Sequence, residues 1–200
     1  LKDAGEEAWA WFQKNGGKER KPWRWDDPRL GASRRLFPVV GVTWYEAAAY
    51  CVWLQRHWAE YQTSNFKFQT SNFQIRLPTE SEWVMAAGGE GVGKEKVRCA
   101  WQEPVASTAP SDDEILMRAN TNLSKLGGTS LVCMYPAGAS LAGIMDMSGN
   151  VWEWQANYFG KDERVPALRG GAWDGNLQGA RVASRGGNAP VFNWKDGGFR

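Results

Sequence analysis

Tryptophan and glycine constrain this fold more than any other residues: the chain has 13 Trp and 23 Gly among 200 residues. An indole buries a large apolar area and still needs a partner for its N–H. Glycine favours tight turns and bulges. The last forty residues contain eight glycines, including the pairs Gly170–Gly171 and Gly186–Gly187. We therefore expect few regular elements, with large aromatic side chains packed between loops.

The length and composition are typical of one globular domain, with 42% apolar and 23% charged residues. We predict a single domain over residues 1–200, in which residues 1–36 wrap over a core formed by residues 37–200. The longest apolar stretch, residues 47–54, is far shorter than the roughly 20 residues of a membrane-spanning helix. The 24 basic and 22 acidic residues form no long run of one sign, so nucleic acid is not an expected partner.

Cysteine and histidine are too scattered for a disulfide framework or a histidine-rich metal site. Cys51, Cys99 and Cys133 form no CxxC pair, and we predict all three to be buried thiols. His57 is the single histidine and falls in a segment with helical spacing, where we expect a partly exposed side chain. A site with two or three imidazole ligands is excluded.

Two capping boxes predict two helices. Thr43 with Glu46, and Thr79 with Glu82, place a hydroxyl three residues before a carboxylate, where each can satisfy a free backbone N–H. Apolar residues at helical spacing extend the first helix through about residue 60, and Gly88–Gly89 ends the second. Between the helices, residues 62–66 recur as residues 69–73, which indicates a small duplication in an exposed loop or hairpin.

Short strands are predicted in the C-terminal half. Residues 151–155 alternate so that Trp152 and Trp154 share one face. Residues 167–173 and 181–185 are predicted as two further strands, and residues 89–142 as mainly loops. Two helices followed by short strands and long loops form an α+β layout.

Five motifs resemble, in order, the formylglycine-generating-enzyme family, also called sulfatase-modifying factors. They are FPVVGVTW at 37–44, IRLPTESEW at 75–83, MSGNVWEW at 147–154, LRGGAW at 168–173 and GFR at 198–200. The resemblance implies a C-type-lectin-like fold in that family's form, with two helices, short antiparallel strands and long loops.

The family's oxidase chemistry does not accompany the resemblance. In the true oxidase, a pair of cysteines that binds copper and attacks the substrate follows the Gly-Gly motif, but residues 174–200 contain no cysteine. Related iron enzymes bind their metal through several histidines. Without a thiolate there is neither a soft metal ligand nor a nucleophile, so we predict a non-enzymatic member that requires no cofactor.

The resemblance also implies a calcium site at the MSGNVWEW motif. Asn150 and Glu153 would supply side-chain oxygens, which suit this hard cation. Alternatively, Asn150 holds a turn and Glu153 pairs with an arginine.

One non-catalytic group with this fold, the variable proteins of diversity-generating retroelements, binds ligands through a segment that follows the Gly-Gly motif and closes near a Gly-Phe-Arg end. The resemblance implies such a variable region over residues 174–196. Most of its candidate positions hold Asn or a residue reachable from an Asn codon by adenine replacement, whereas Gln178 and Trp194 are not reachable. The candidates are Asp174, Gly175, Asn176, Gln178, Gly179, Ser184, Gly186, Gly187, Asn188, Phe192, Asn193 and Trp194.

Loops on a rigid scaffold suit a surface that must tolerate many sequences. Phe192 and Trp194 are expected to be exposed anchors of binding, unless Trp194 covers the core. We predict a protein that binds a protein or other macromolecular surface; the alternatives are a divergent oxidase of the family and a fixed interaction module of a larger bacterial protein. Because the chain begins at Leu1, we expect a preceding segment. We expect a bacterial protein, located either in the cytoplasm or at the cell surface.

Overall fold

Helices and strands occupy a minority of the residues that the structure describes. The computed structural model describes residues 5–14, 21–61, 74–90, 98–161 and 164–200. The helices are α1 (Glu6–Lys14), α2 (Trp44–Tyr61), α3 (Glu80–Ala86), α4 (Asp112–Arg118) and α5 (Leu177–Ala180), with short 3-10 helices at Asn122–Ser124 and Pro136–Gly138. The strands are β1 (Trp152–Tyr158), β2 (Pro166–Arg169), β3 (Gly186–Gly187) and β4 (Gly197–Gly198). This α+β architecture is the predicted fold class.

The four strands form one sheet in the order β3-β2-β1-β4. β1 pairs antiparallel with β2, with Trp154 opposite Leu168, and β2 pairs antiparallel with β3. β4 lies parallel to β1, with Trp152 opposite Gly197. The two strands nearest the C-terminus therefore form the edges of the sheet.

Both predicted capping boxes are present, and they explain where α2 and α3 begin. The Glu46 carboxylate accepts the Thr43 backbone N–H at 2.8 Å, and the Thr43 hydroxyl accepts the Glu46 N–H at 3.2 Å. Thr79 and Glu82 make the same reciprocal bonds. Helix α3 ends before Gly88, whose φ of 82° is favourable for glycine.

The main core cluster packs α2 against the sheet. Ala47 and Cys51 of α2 pack with Leu77, Trp154 and Leu168, and Trp152 packs against the same cluster. The predicted shared face of the two tryptophans is therefore confirmed. The indole N–H of Trp154 donates to the carbonyl of Val42 at 3.1 Å, so a buried tryptophan also fixes the loop entering α2.

Two further clusters are buried among the described residues. Trp83 of α3 and Ala87, which caps that helix, pack with Ala100, Met147 and Val182. Part of the predicted N-terminal wrapping segment contributes to the third cluster, in which Leu30 is buried with Val40 and Val151.

Several local predictions are wrong or incomplete. Cys133 is exposed, whereas Cys51 and Cys99 are buried as predicted. Cys133 has a φ of 61°, and its N–H donates to Asp146 on an exposed loop. The region 89–142 also contains α4, which begins after the N-cap residue Ser111.

Residues 181–185 do not form a strand; they follow α5 as a turn and extended chain. The Val182 N–H donates to the carbonyl of Arg98 instead of a neighbouring strand. The strand begins instead at Gly186, as β3. The duplication at residues 62–73 lies outside the described residues, and no described helix is both long and apolar enough to cross a membrane.

Candidate functional site

Residues 174–196, called the C-terminal segment below, leave β2 through a sharp turn. Gly170 and Gly171 both have positive φ, 95° and 74°. A Cβ at Gly171 would lie 2.7 Å from the backbone of Gly179, so only glycine allows the chain to pack this closely on itself. The turn places α5 against the domain.

The first part of the segment alternates between exposed and partly buried residues. Asp174, Asn176 and Gln178 are exposed, while Gly175, Leu177 and Gly179 are partly buried. The Asn176 side chain caps α5 by accepting the Gly179 N–H at 3.3 Å. Asn176 therefore has a local structural role, whereas the other two exposed side chains make no such cap.

Buried residues hold the middle of the segment to the domain. Ala180 and Val182 are 1% and 0% exposed. The Arg169 guanidinium of β2 donates to the carbonyls of Val182 and Ser184 at 2.9 and 3.2 Å. This stretch is framework, and Arg169, which holds it, is not among the predicted site residues.

A buried carboxylate fixes that arginine. Glu80, at the start of α3, accepts from Arg169 Nε at 2.8 Å and from Arg185 Nε at 2.9 Å, and Arg185 also donates to its other oxygen. Asn157 donates to the second oxygen at 3.0 Å. Burial alone would raise the pKa of Glu80, but the hydrogen bonds and the two positive charges outweigh it and lower the pKa.

Two predicted glycines lie in β3 and differ in the space around them. A Cβ at Gly187 would lie 2.5 Å from the Cβ of Phe159, whereas a Cβ at Gly186 would meet the Cβ of Leu168 at 3.9 Å. The first position cannot hold a larger residue without a local shift, and the second can.

The aromatic pair at the end of the segment divides into one framework residue and one surface residue. Trp194 packs edge-to-face on Trp154 at 5.1 Å and on the main core cluster, so it covers the core. Phe192 lies 5.4 Å from the Trp194 ring and is 48% exposed. Val191, which is not among the predicted residues, is 44% exposed beside it.

The remaining predicted residues are Ser184, Asn188 and Asn193, and all three are partly buried. Of the twelve predicted residues, Asp174, Asn176, Gln178 and Phe192 are therefore exposed, and the other eight are partly buried.

A charged cluster joins the two ends of the segment. Lys195 Nζ lies 2.9 Å from Asp174 Oδ2 and 4.4 Å from the centre of the Trp173 ring. Asp196 is only 8% exposed. Its burial, together with the Asp174 charge and a hydrogen bond to that residue, raises the pKa of Asp196 to about 7.

The residues predicted to bind calcium have other partners. Glu153 accepts the Trp83 indole N–H at 2.7 Å and Arg200 Nη2 at 2.8 Å. Asn150, with a φ of 67°, accepts the Ser130 N–H through Oδ1 at 2.9 Å. The side-chain oxygens of both residues thus already accept hydrogen bonds, so these residues do not fit a calcium ion in this arrangement. The geometry matches the alternative of a turn and an arginine pair.

Sequence comparison places this geometry among known proteins. Residues 4–200 match the family described as "Sulfatase-modifying factor enzyme 1-like domain". The bovine (Bos taurus) protein named "Inactive C-alpha-formylglycine-generating enzyme 2" is 31% identical over 199 residues, covering 91% of this chain and 56% of that protein. Hercynine oxygenase of Mycobacterium tuberculosis is 30% identical over 159 residues, covering 68% of this chain and 29% of the enzyme. The chain thus spans only part of each relative.

Solved structures share the fold at low sequence identity. Treponema denticola variable protein 1 superimposes with a TM-score of 0.64 and 21% identity, covering 90% of this chain and 76% of that one. PvdO from Pseudomonas aeruginosa gives a TM-score of 0.57 and 18% identity, covering 96% and 74% of the two chains.

Proposed function

This chain belongs to the sulfatase-modifying factor enzyme 1-like family, and we propose that it is a non-catalytic, ligand-binding member of the retroelement variable-protein type. Its ligand is a protein or other macromolecular surface. The contact is made by the exposed side chains of the C-terminal segment, and it requires no cofactor.

The observation that carries this proposal is that the segment contains two kinds of residue, some packed into the domain and others exposed. Ala180, Val182 and Trp194 are packed into the domain, while Asp174, Gln178 and Phe192 are exposed. A surface that changes its sequence must keep the first kind of residue and vary the second, because core substitutions destabilise the fold whereas exposed ones rarely do.

The similarity to Treponema denticola variable protein 1 supports the proposal through the shared fold. The relative described as inactive supports the non-catalytic part, as does the lack of cysteine in residues 174–200.

The second candidate is a divergent oxidase, which the similarity to hercynine oxygenase favours. It predicts copper or iron binding and oxygen-dependent turnover of a thiol substrate. The non-catalytic proposal predicts neither, so metal analysis and oxygen consumption with a cysteine peptide separate the two.

Two display libraries test the proposal. The first randomises exposed or partly buried positions whose side chains cap no helix: Asp174, Gln178, Asn188, Phe192 and Asn193. The matched library randomises five framework positions: Ala180, Val182, Gly187, Trp194 and Gly197. Yeast display with a protease-resistance sort measures the folded fraction of each.

We expect most clones of the first library to stay folded and most of the second to be cleaved. Selection of the first library on hen lysozyme should then yield specific binders. Equal loss of folded clones in both libraries would show that the proposed surface is part of the core, and folded clones that never yield a binder would contradict the binding role.

A further inference from the structure

A cavity of about 880 Å³ lies apart from the C-terminal segment. Its lining residues come from α1, α2, β1 and the turn before it, the loops at residues 22–39 and 132–146, and residues 199–200. None of residues 174–196 lines it. The volume is in the range of sites that enclose small molecules, so this cavity is a candidate binding site separate from the segment.

One wall of the cavity is a single face of α2. The residues that this helix contributes are Glu46, Ala49, Tyr50 and Trp53. Residues three or four positions apart lie on the same side of a helix, so a carboxylate and two aromatic rings share the face. Tyr50 and Trp53 are 47% and 42% exposed, with ring centres 5.7 Å apart. Phe199 forms a T-shaped pair with Tyr50 at 5.5 Å, which extends the aromatic wall to a third ring.

These rings favour two kinds of ligand group. An apolar group that covers partly exposed rings removes them from water, and a cation is attracted to the negative face of an aromatic ring. Phe12 and Trp25 bring two further rings to the lining. Because the same ring faces repel an anion, the wall favours a ligand that is apolar, cationic or both.

The charged residues of the lining favour a cation over an uncharged molecule. Three of them carry a carboxylate, Glu46, Asp146 and Glu153, and one carries a guanidinium, Arg200. Arg200 donates to both oxygens of Glu153 at 2.8 to 3.1 Å, so these two charges compensate each other. Glu46 and Asp146 leave the lining negative, and a cleft lined by one sign of charge concentrates ions of the other sign.

Asp146 is the carboxylate best placed to pair with a bound cation. It is partly exposed, whereas Glu153 is 3% exposed. Its Oδ2 accepts the Cys133 N–H at 2.8 Å, which holds the side chain in place. Glu46 is more fully engaged, since one of its oxygens accepts both the N–H and the hydroxyl of Thr43. An ammonium group that reaches Asp146 forms a charge-assisted hydrogen bond.

We propose that this cavity binds an apolar amine in its protonated form. The apolar body covers Tyr50, Trp53 and Phe199, and the ammonium group pairs with Asp146. An uncharged molecule of the same shape gains the burial of the rings, but neither the attraction to their faces nor the pairing with a carboxylate. This site is independent of the proposed function of the C-terminal segment.

The test compares three ligands that share a phenylpropyl body and differ in charge: 3-phenylpropylamine, 3-phenylpropanol and 3-phenylpropanoate. Calorimetric titration at pH 7 measures their affinities for the whole chain. We expect the amine to bind about tenfold more tightly than the alcohol, and the carboxylate to bind most weakly. Because the chain carries a formal net charge of +2, unspecific attraction would favour the carboxylate instead. An alcohol that binds as tightly as the amine, or an amine that does not bind, would overturn the proposal.

A charge-removing variant locates the ammonium group. Asp146→Asn keeps an oxygen for the Cys133 N–H, and asparagine tolerates the φ of 58° at this position. The variant should lower the affinity for the amine severalfold and leave the affinity for the alcohol unchanged. Asp113→Asn is the matched control, since it removes the same charge from an exposed position of α4 outside the lining, and it should change neither affinity.

A cavity-filling variant locates the apolar body. Ala49→Trp places a large ring in the cavity wall and should abolish binding of both the amine and the alcohol. Ala10→Trp, at an exposed position of α1 outside the lining, should leave both unchanged. Amine binding that survives in a folded Ala49→Trp variant would place the ligand elsewhere and overturn the proposal. An unchanged preference for the amine in Asp146→Asn refutes the pairing even where Ala49→Trp fails to fold.

Discussion

Glu80→Gln tests whether one buried carboxylate holds the framework of the C-terminal segment. The Glu80 and Arg169 side chains are 9% and 5% exposed and lie 2.8 Å apart, and Arg169 in turn holds the carbonyls of Val182 and Ser184. The amide removes the negative charge while keeping nearly the same shape. Two guanidinium groups would then face a neutral side chain that accepts through one oxygen only.

The expected loss is about 3 kcal/mol of unfolding free energy. Breaking a buried ion pair by removing one partner costs about 3–5 kcal/mol, and the lower end applies because the second partner, Arg185, is 42% exposed. For a domain of this size, about 3 kcal/mol corresponds to a Tm lower by about 6–12 °C.

Urea unfolding followed by tryptophan fluorescence measures the loss. Glu82→Gln is the matched control, because Glu82 lies on the same helix and pairs with Arg76 at 2.6 Å, but both side chains are more than 40% exposed. Glutamine also preserves its capping box, so a clearly smaller loss is expected. Equal losses for the two variants, or a loss of less than about 1 kcal/mol for Glu80→Gln, would show that the Glu80 pair contributes no more than an exposed surface pair does.

The same network predicts a pH dependence. Because the pKa of Glu80 is lowered in the folded protein, its contribution is present above the unfolded pKa of about 4.3 and is lost as pH falls through the folded value. The stability of Glu80→Gln should therefore fall less steeply below about pH 4.5 than that of the wild type.

Three further predictions follow from the site. Asp196→Asn should match the wild type in stability near pH 4 and exceed it above pH 7. Burial, and after it the neighbouring Asp174 carboxylate, raises the pKa of Asp196 from 3.8 to about 7, so the wild type loses stability as pH rises over that interval. A stability difference that stays constant in denaturation at several pH values would contradict this. Gly187→Ala should cost about 1–3 kcal/mol, since its Cβ would lie 2.5 Å from Phe159, while Gly186→Ala should stay near wild type; equal urea midpoints would contradict this. Millimolar calcium should leave Tm unchanged because Glu153 is bonded to other donors, and a rise of several degrees would restore the calcium prediction.

Local signals in the sequence were sufficient for the main helices and the central strand. The capping boxes at Thr43 and Thr79 specify helix starts through residues three positions apart, and tryptophan alternation specifies the face of β1. Helix α4 carries a similar signal, because Ser111 precedes Glu114 by three residues. Attention to that spacing would have found α4 within a region predicted as loops.

Features that depend on distant residues could not be predicted. Whether Trp194 is exposed depends on its contact with Trp154, forty positions earlier in the chain. The stretch at residues 181–185 is not a strand because its backbone bonds are taken by Arg98 and Arg169. One cavity is lined by Phe12, Trp53 and Phe199 among other residues, and these three lie far apart in the sequence.

Sequencing the genomic DNA around the gene would show whether residues 174–196 are diversified. We expect a nearby near-copy of the region encoding these residues, with mismatches confined to adenines of the copy, together with a reverse transcriptase gene. The mismatches should fall at codons for exposed residues such as Asp174 and Phe192, and should spare the codons for Val182 and Gly187. A locus without such a copy and without the transcriptase would contradict the assignment and leave a fixed member of the family.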